Sequence, residues 1–241
     1  MNNNRDLSKR KHVLITGVSR GLGKELFELF VSKGHVVYGV VRKEEDAHRL
    51  RTQLPENGHV ILADLSSDDA ISTISAVVQQ HPLDLLINNA GNPGSSHLIE
   101  NTDTSEVIDL INVHCLGAHR TVKALKKNLL KSENPVVLNL NSRLGSINRQ
   151  SEKIYHHLTV SYSYRIAKAA QNMLTACLRS EFNGAIKFIS LHPGKMKTEI
   201  AQVDADLDPK EIAENILASF EMDRFKEENG IIEFGKELIE W

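Results

Sequence analysis

His12-Val13-Leu14-Ile15-Thr16-Gly17-Val18-Ser19-Arg20-Gly21-Leu22-Gly23 is the stretch on which the architecture turns. A short apolar, β-branched run passes straight into three glycines and then into the helical periodicity of Leu22–Ser32. A strand that turns on glycines into a helix is the opening of a βαβ unit. Glycine admits the left-handed backbone such a corner needs, and it lets backbone N–H groups approach a pyrophosphate. The helix N-terminus behind the turn favours negative charge. The spacing is not G-x-G-x-x-G, so that dinucleotide fingerprint is absent. A purely structural turn is the competing account of the glycines, and their place after the first strand of a βαβ unit favours the phosphate-binding one.

Outward from this stretch the pattern repeats. Apolar runs at Val36–Val41, Val60–Leu62, Leu83–Asn88, Val136–Leu140, Ile186–Leu191 and Ile231–Phe234 carry β-branched residues without polar alternation, as strands buried on both faces do. Between them Glu44–Leu54, Asp68–Gln80, Ser105–Leu130, Ser163–Phe182 and Pro209–Phe220 read as helices. Strand–helix alternation with right-handed crossovers predicts an α/β fold: a Rossmann-type, three-layer, doubly wound sandwich with a seven-stranded parallel sheet and helices on both faces. No repeat or Pro/Gly-rich linker divides the chain, so residues 1–241 are expected to form one domain.

Charge and composition exclude several functions. With 29 Lys+Arg against 31 Asp+Glu the chain has no basic surplus for nucleic acid, which is not expected as a partner. Residues 1–11 are polar and basic with no apolar stretch behind them, which does not read as a signal peptide, and no run approaches a membrane span. A soluble, cytoplasmic protein is expected. Cys115 and Cys177 lie too far apart for a CxxC site, and buried reduced thiols are the plainer account. His114 and His119 are five apart and His156-His157 adjacent, neither at ligand spacing, so no metal is expected.

At about 100° per residue, Ile166, Ala170, Met173, Leu174 and Cys177 fall on one side of the Ser163–Phe182 helix. Tyr164, Lys168, Gln171 and Thr175 form a polar stripe opposite, with Tyr164 and Lys168 stacked at i, i+4. That pattern predicts burial on two sides, the polar stripe facing chemistry. The second strand ends on Arg42-Lys43 with no acid before Glu44, where a carboxylate would select the unphosphorylated nicotinamide cofactor. Arg20 and Arg42 at the two lips of one pocket suit a 2′-phosphate, and NADP(H) is the expected cofactor; solvated surface arginines are the competing account.

These motifs, in this order, resemble the short-chain dehydrogenase/reductase family over nearly the whole chain. Thr16-Gly17-x-x-x-Gly21-x-Gly23 is similar to its coenzyme turn, bringing Ser19, Arg20 and Leu22 to the phosphates. Asn88-Asn89-Ala90-Gly91 is similar to the motif closing its fourth strand, and Asp64-Leu65 falls where an acidic residue meets the adenine. Asn112 lies where the family keeps an active-site asparagine, Ser142 follows the fifth strand, and Tyr164-x-x-x-Lys168 resembles the catalytic pair. His192-Pro193-Gly194, with Met196 and Thr198 beyond, resembles the stretch that holds the nicotinamide. The run Tyr164–Met173 and the ending Phe234-Gly235-Lys236-Glu237…Trp241 look like the C-factor-like and sniffer-type carbonyl reductases. One departure stands out: Glu199-Ile200-Ala201-Gln202 follows Thr198 where that subgroup continues into a glycine pair, so a substrate is not carried over.

The resemblance implies an NADPH-dependent enzyme acting on a small carbonyl or alcohol, as a homodimer through Ser105–Leu130 and Ser163–Phe182. Tyr164 is expected to exchange the proton, with Lys168 lowering its phenol from the ordinary value near ~10. Ser142 would hydrogen-bond the reacting oxygen. By resemblance Lys168 also holds the nicotinamide ribose, Asn112 positions a water in the proton path, and Thr198 bonds the carboxamide. Tyr162 has Ile166 at i+4 and lacks the cation; Ser161 and Ser163 read as helix caps. Arg149–Val160 is expected to be a surface insertion beside the site. A second reading is an NADP(H)-binding signalling sensor of C-factor type with little turnover. An extended sugar-nucleotide epimerase fits poorly, because too little chain follows Thr198 for a substrate domain.

Overall fold

β1 (His12–Thr16) sits between β2 (Val36–Val41) and β4 (Leu85–Asn88), paired in parallel with both. The computed structural model describes residues 10–194, 207–234 and 236–241. β3 (Gly58–Leu62), β5 (Val136–Leu140), β6 (Lys187–His192) and β7 (Ile232–Glu233) complete a seven-stranded parallel sheet in the order β3-β2-β1-β4-β5-β6-β7. The order reverses between β1 and β4, which opens a crevice at their carboxyl ends. The expected fold class is the observed one.

Alternation along each strand builds the two outer layers. Val13 and Ile15 pack with Leu26, Phe27 and Phe30 of α1 (Gly21–Ser32) and Ile216 of α8 (Pro209–Glu221). Leu14 packs oppositely with Ile74 of α3 (Asp69–Val78), Leu125 of α5 (Gly117–Leu129) and Phe182 of α7 (Tyr162–Phe182). Both faces are covered, which explains why the strands read as continuous apolar runs. α2 (Glu44–Arg51) follows β2. Among the described residues no helix is long and apolar enough to cross a membrane.

Three local expectations change. The helix expected over Ser105–Leu130 is α4 (Thr104–Ile111), a wider π-turn at Asn112–Leu116, and then α5. The surface insertion expected over Arg149–Val160 begins within a helix, α6 (Ile147–Ser151), capped by Ser146 Oγ accepting from Arg149 N. The third concerns α7. Its polar stripe is the side laid on the sheet: Lys168, Gln171, Asn172 and Thr175 are buried, whereas Ile166 and Met173 are 43% and 64% exposed. The sheet supplies the reason. Asn139 Nδ2 donates to Thr175 Oγ1 at 2.9 Å, Ser190 Oγ donates to Asn172 Oδ1 at 2.8 Å, and Asn141 Nδ2 donates to Asn172 Oδ1. Asn88 Nδ2 donates to Asn139 Oδ1 at 2.8 Å and Thr121 Oγ1 to Asn88 Oδ1 at 2.7 Å, so a satisfied polar chain runs from α5 through two strands to α7.

Candidate active site

The crevice at the switch point is a cleft of about 720 Å³. Its floor is the glycine turn. Gly17 has φ +72°, and a Cβ on Gly23 would lie 2.2 Å from the Gly17 carbonyl oxygen, so neither position has room for a side chain. Arg20 stands at the N-cap of α1 in extended conformation with no side-chain cap, leaving the first helical N–H groups directed at the cleft. Thr16 locks the turn: its Oγ1 accepts from Asn89 N at 2.9 Å and from Ala90 N at 3.0 Å. Asn89 Nδ2 donates to the Thr16 and Gly17 carbonyls at 2.8 and 3.0 Å, so this amide shapes the turn beneath the cleft.

Ser19, Gly21, Leu22, Ala90 and Gly91 line the cleft with Arg20 and Arg42. Two acids lie on the same rim, and both are engaged by bases: Glu45 with Lys43 at 3.3 Å and Asp46 with Arg49 at 2.8 Å. At the far wall Asp64 accepts from Ser66 N at 2.9 Å and Ser66 Oγ at 2.8 Å. The backbone bond from Ser66, with Arg42 and Arg120 nearby, holds its carboxyl below the ordinary range. Leu65 is fixed by its carbonyl, which accepts from Arg120 Nη1 at 2.9 Å.

Across the crevice β5 ends in Asn141-Ser142. Ser142 N donates to Asn141 Oδ1 at 2.8 Å, and Ser142 Oγ accepts from Leu144 N at 3.2 Å. Ser161 caps α7 by accepting from Tyr164 N at 3.2 Å. Ser163 is no cap; its Oγ donates to Glu106 Oε1 at 2.7 Å. The Tyr164 hydroxyl meets Ser142, and burial, only partly offset by that bond, pushes the phenol up to about 12. The ring remains partly open while its hydroxyl end is enclosed. Lys168 Nζ donates to the Leu140 carbonyl at 2.7 Å and to Gln171 Oε1 at 3.0 Å, and lies 5.7 Å from the Tyr164 ring centroid. Burial brings this amine down to about 7. The expectation that Lys168 lowers the phenol is reversed here, because enclosure of the hydroxyl outweighs a cation directed at the strand end.

The Asn112 side chain is engaged at the adenine-side wall. Its Nδ2 donates to the Ser66 carbonyl at 3.0 Å and its Oδ1 accepts from Arg120 Nη1 at 2.8 Å, so both atoms serve the Asp64–Ser66 wall. Arg120 also donates from Nε to Asp68 at 2.6 Å. His114 is the residue of this turn that meets Tyr164, its ring perpendicular to the phenol with centroids 5.5 Å apart. His114, Arg120 and Glu106 have no spacing signature; their roles come from neighbours distant in sequence. Pro193 and Gly194 follow β6. Met196, Thr198 and the departure at Glu199–Gln202 lie outside the described residues.

The sequence profile described as short chain dehydrogenase matches residues 11–207. The chain is 28% identical over 147 residues to the 3-oxoacyl-[acyl-carrier-protein] reductase FabG of Vibrio harveyi, an alignment that spans 60% of this chain and 60% of that protein. Among solved structures, the carbonyl reductase Sniffer of D. melanogaster superposes with a TM-score of 0.81 at 25% identity, covering 96% of this chain and 100% of the other. A short-chain dehydrogenase/reductase from Burkholderia multivorans, with bound NADP, gives a TM-score of 0.82 at 22% identity, covering 96% and 100%, a likeness of fold. With that profile covering most of its length, the chain belongs to the short-chain dehydrogenase family.

Proposed function

We propose that the protein is an NADPH-dependent oxidoreductase that interconverts a carbonyl and an alcohol. The observation that carries this reading is the Tyr164 hydroxyl in contact with Ser142, one helical turn from Lys168 and beside His114, whose ring packs on Gly91 of the cleft wall. The cleft suits a dinucleotide: Gly17, Gly21, Gly23 and the open end of α1 offer N–H groups to a pyrophosphate, and Arg20 with Arg42 offers cations to a 2′-phosphate. Asp64 and Leu65 would border the adenine, Ala90 and Gly91 the ribose side, and Pro193 and Gly194 the nicotinamide. The likeness to Sniffer, a carbonyl reductase, and to the Burkholderia protein with its bound NADP supports the same reading. NADPH, when bound there, would supply the hydride for the carbonyl carbon.

Ser142 holds the carbonyl oxygen where negative charge develops, and Tyr164 delivers its proton there. A phenol held up at about 12 is fully protonated at neutral pH, as a donor must be. In the oxidative direction the same group would have to accept a proton as phenolate, which a phenol held up at about 12 disfavours at neutral pH. The sensor alternative is not favoured, because pure binding has no need of an enclosed donor aligned with a hydroxyl.

Residues 1–241 are read as one domain, in a cytoplasmic homodimer acting on a small molecule. Exposed Ile108 (60%), Ile166 (43%) and Met173 (64%) on α4 and α7 support a second copy, and two free thiols fit a reducing compartment. The test is loss of NADPH absorbance with a panel of quinones, diketones and aldehydes. Tyr164→Phe is expected to lower turnover by about a hundredfold or more while NADPH still binds. A wild type that binds NADPH and turns over no carbonyl overturns the enzyme in favour of the sensor.

A further inference from the structure

His114 is buried at the junction of three parts of the site, and nothing in the chemistry above uses it. Its Nε2 lies 2.8 Å from the Asn92 carbonyl oxygen and 3.2 Å from Asn92 N. The shorter contact needs a donor, so the proton sits on Nε2. Nδ1 is then a bare acceptor, and it is buried without a hydrogen-bond partner among the described residues. The ring is seated against Gly91: a Cβ there would lie 2.1 Å from His114 Cε1 and 2.5 Å from Nδ1. On its other side stands Tyr164, in perpendicular contact at 5.5 Å.

The segment it grips is the one that shapes the cofactor floor. Asn89 holds the Thr16 and Gly17 carbonyls, and three residues later Asn92 meets His114. A continuous line of contacts therefore joins the glycine turn, the segment after β4, the Asn112–Leu116 turn and the proton donor. The imidazole is neutral: burial first, then the charge of Lys168, lowers it to about 3. The charge that acts on it is that of Lys168 of α7, and the titratable ring packed against it is Tyr164. π-turns inside α-helices are costly and often mark functional positions; this one carries the ring to Tyr164.

We propose that His114 is a positioning residue for the reaction, tying the Asn92 carbonyl to the Tyr164 ring and so fixing the donor's orientation and keeping water from its hydroxyl. The inference rests on the proposed reductase reading. A neutral ring in this place does two things: its Nε2–H anchors the turn, and its volume excludes the water that would otherwise solvate phenolate and ammonium. Charging it would set a second cation beside Lys168, which the dry pocket disfavours.

The test compares His114→Ala, which removes ring and bond, with His114→Gln, whose side-chain amide can donate to the same carbonyl. Two readouts are taken: the tyrosinate ultraviolet titration, as the difference between each protein and its Tyr164→Phe counterpart, and kcat for carbonyl reduction. In H114A, the Tyr164 titration is expected to fall by about one unit toward the ordinary phenol value. Its kcat is expected to drop by up to about a hundredfold, the cost of a misplaced donor, with NADPH affinity unchanged. H114Q is expected to stay nearer the wild type in both. If H114A is too unstable to measure, His114→Leu, which fills the space without a donor, is expected to keep the Tyr164 titration near the wild-type value while lowering kcat, and a wild-type kcat in it overturns the proposal. A wild-type Tyr164 titration and kcat in H114A, or H114Q as impaired as H114A, overturns the proposal. A wild type with no turnover would sink the reductase reading alone, and the phenol titration would still judge His114.

Discussion

Lys168 donates from Nζ to the Leu140 carbonyl across 2.7 Å, so the cation is anchored to the end of the strand that carries Ser142. It thereby ties α7 to β5 at the catalytic end. The bond also satisfies a carbonyl that would otherwise end the strand unpaired, and it leaves the ammonium in a dry environment that lowers it to about 7. Unfolded, the same lysine titrates near ~10.4. Between those values the unfolded chain binds more protons, so this group's burial costs less as pH rises. Lys168→Met is expected to abolish reduction and to remove the gain in stability between about pH 7 and 10, read by thermal melts across that window.

Tyr164 titrates in the opposite sense. With the phenol held up to about 12, the donor stays protonated well past the pH at which a free phenol ionises. Carbonyl reduction is therefore expected to show no alkaline fall attributable to Tyr164 below about pH 10. A pH–rate profile in the reductive direction checks this, and a Tyr164-dependent loss of rate near neutrality would contradict the enclosed hydroxyl.

Arg42 is expected to decide the cofactor. It lines the cleft near Asp64, and the neighbouring acids Glu45 and Asp46 are occupied by Lys43 and Arg49. Arg42→Asp should shift the NADPH-to-NADH ratio of kcat/KM by about tenfold or more, the scale of one charge-assisted bond. Unchanged selectivity would remove the 2′-phosphate from this rim.

Glu106 fastens the loop after β4 to the start of α7. It accepts from Ser95 Oγ, from Ser95 N at 3.1 Å, from Ser163 Oγ at 2.7 Å and from Ser161 Oγ at 3.3 Å. The Ser95 and Ser163 hydroxyls hold its carboxyl down to about 2. A folded value below the unfolded one means stability that is present above about pH 4.5 and lost as pH falls toward 2. Glu106→Gln is expected to weaken the acid dependence of the melting temperature and to raise KM, because Ser95 and the entry to α7 lose a common anchor.

Met173, 64% exposed in the middle of α7, is expected to meet a second copy. Met173→Glu should convert a dimer to a monomer in sedimentation or light scattering, with secondary structure intact. A wild type that sediments as a monomer would show that this face has another use.

Much of the chain was open to reading because its signals are local. β-branched runs make strands buried on both faces, glycine admits the turn at Gly17, and an i, i+4 pair necessarily stacks on one helix face. These belong to backbone sterics and helical geometry, which need no distant partner. The polar stripe of α7 was legible, but which side would be buried was not. That depended on Asn139, Asn141 and Ser190 offering hydrogen bonds from the sheet.

The opening strand, glycine turn and helix, and with them the fold class and the place of the cofactor cleft, were determined by the sequence alone. Only the tertiary structure decided that Asn112 serves Ser66 and Arg120 while His114 meets Tyr164, and that the phenol is raised instead of lowered. The physical reason is common to both. A side chain's direction in a π-turn and a proton's affinity for a buried oxygen are set by what packs around them, and those neighbours come from separate parts of the chain.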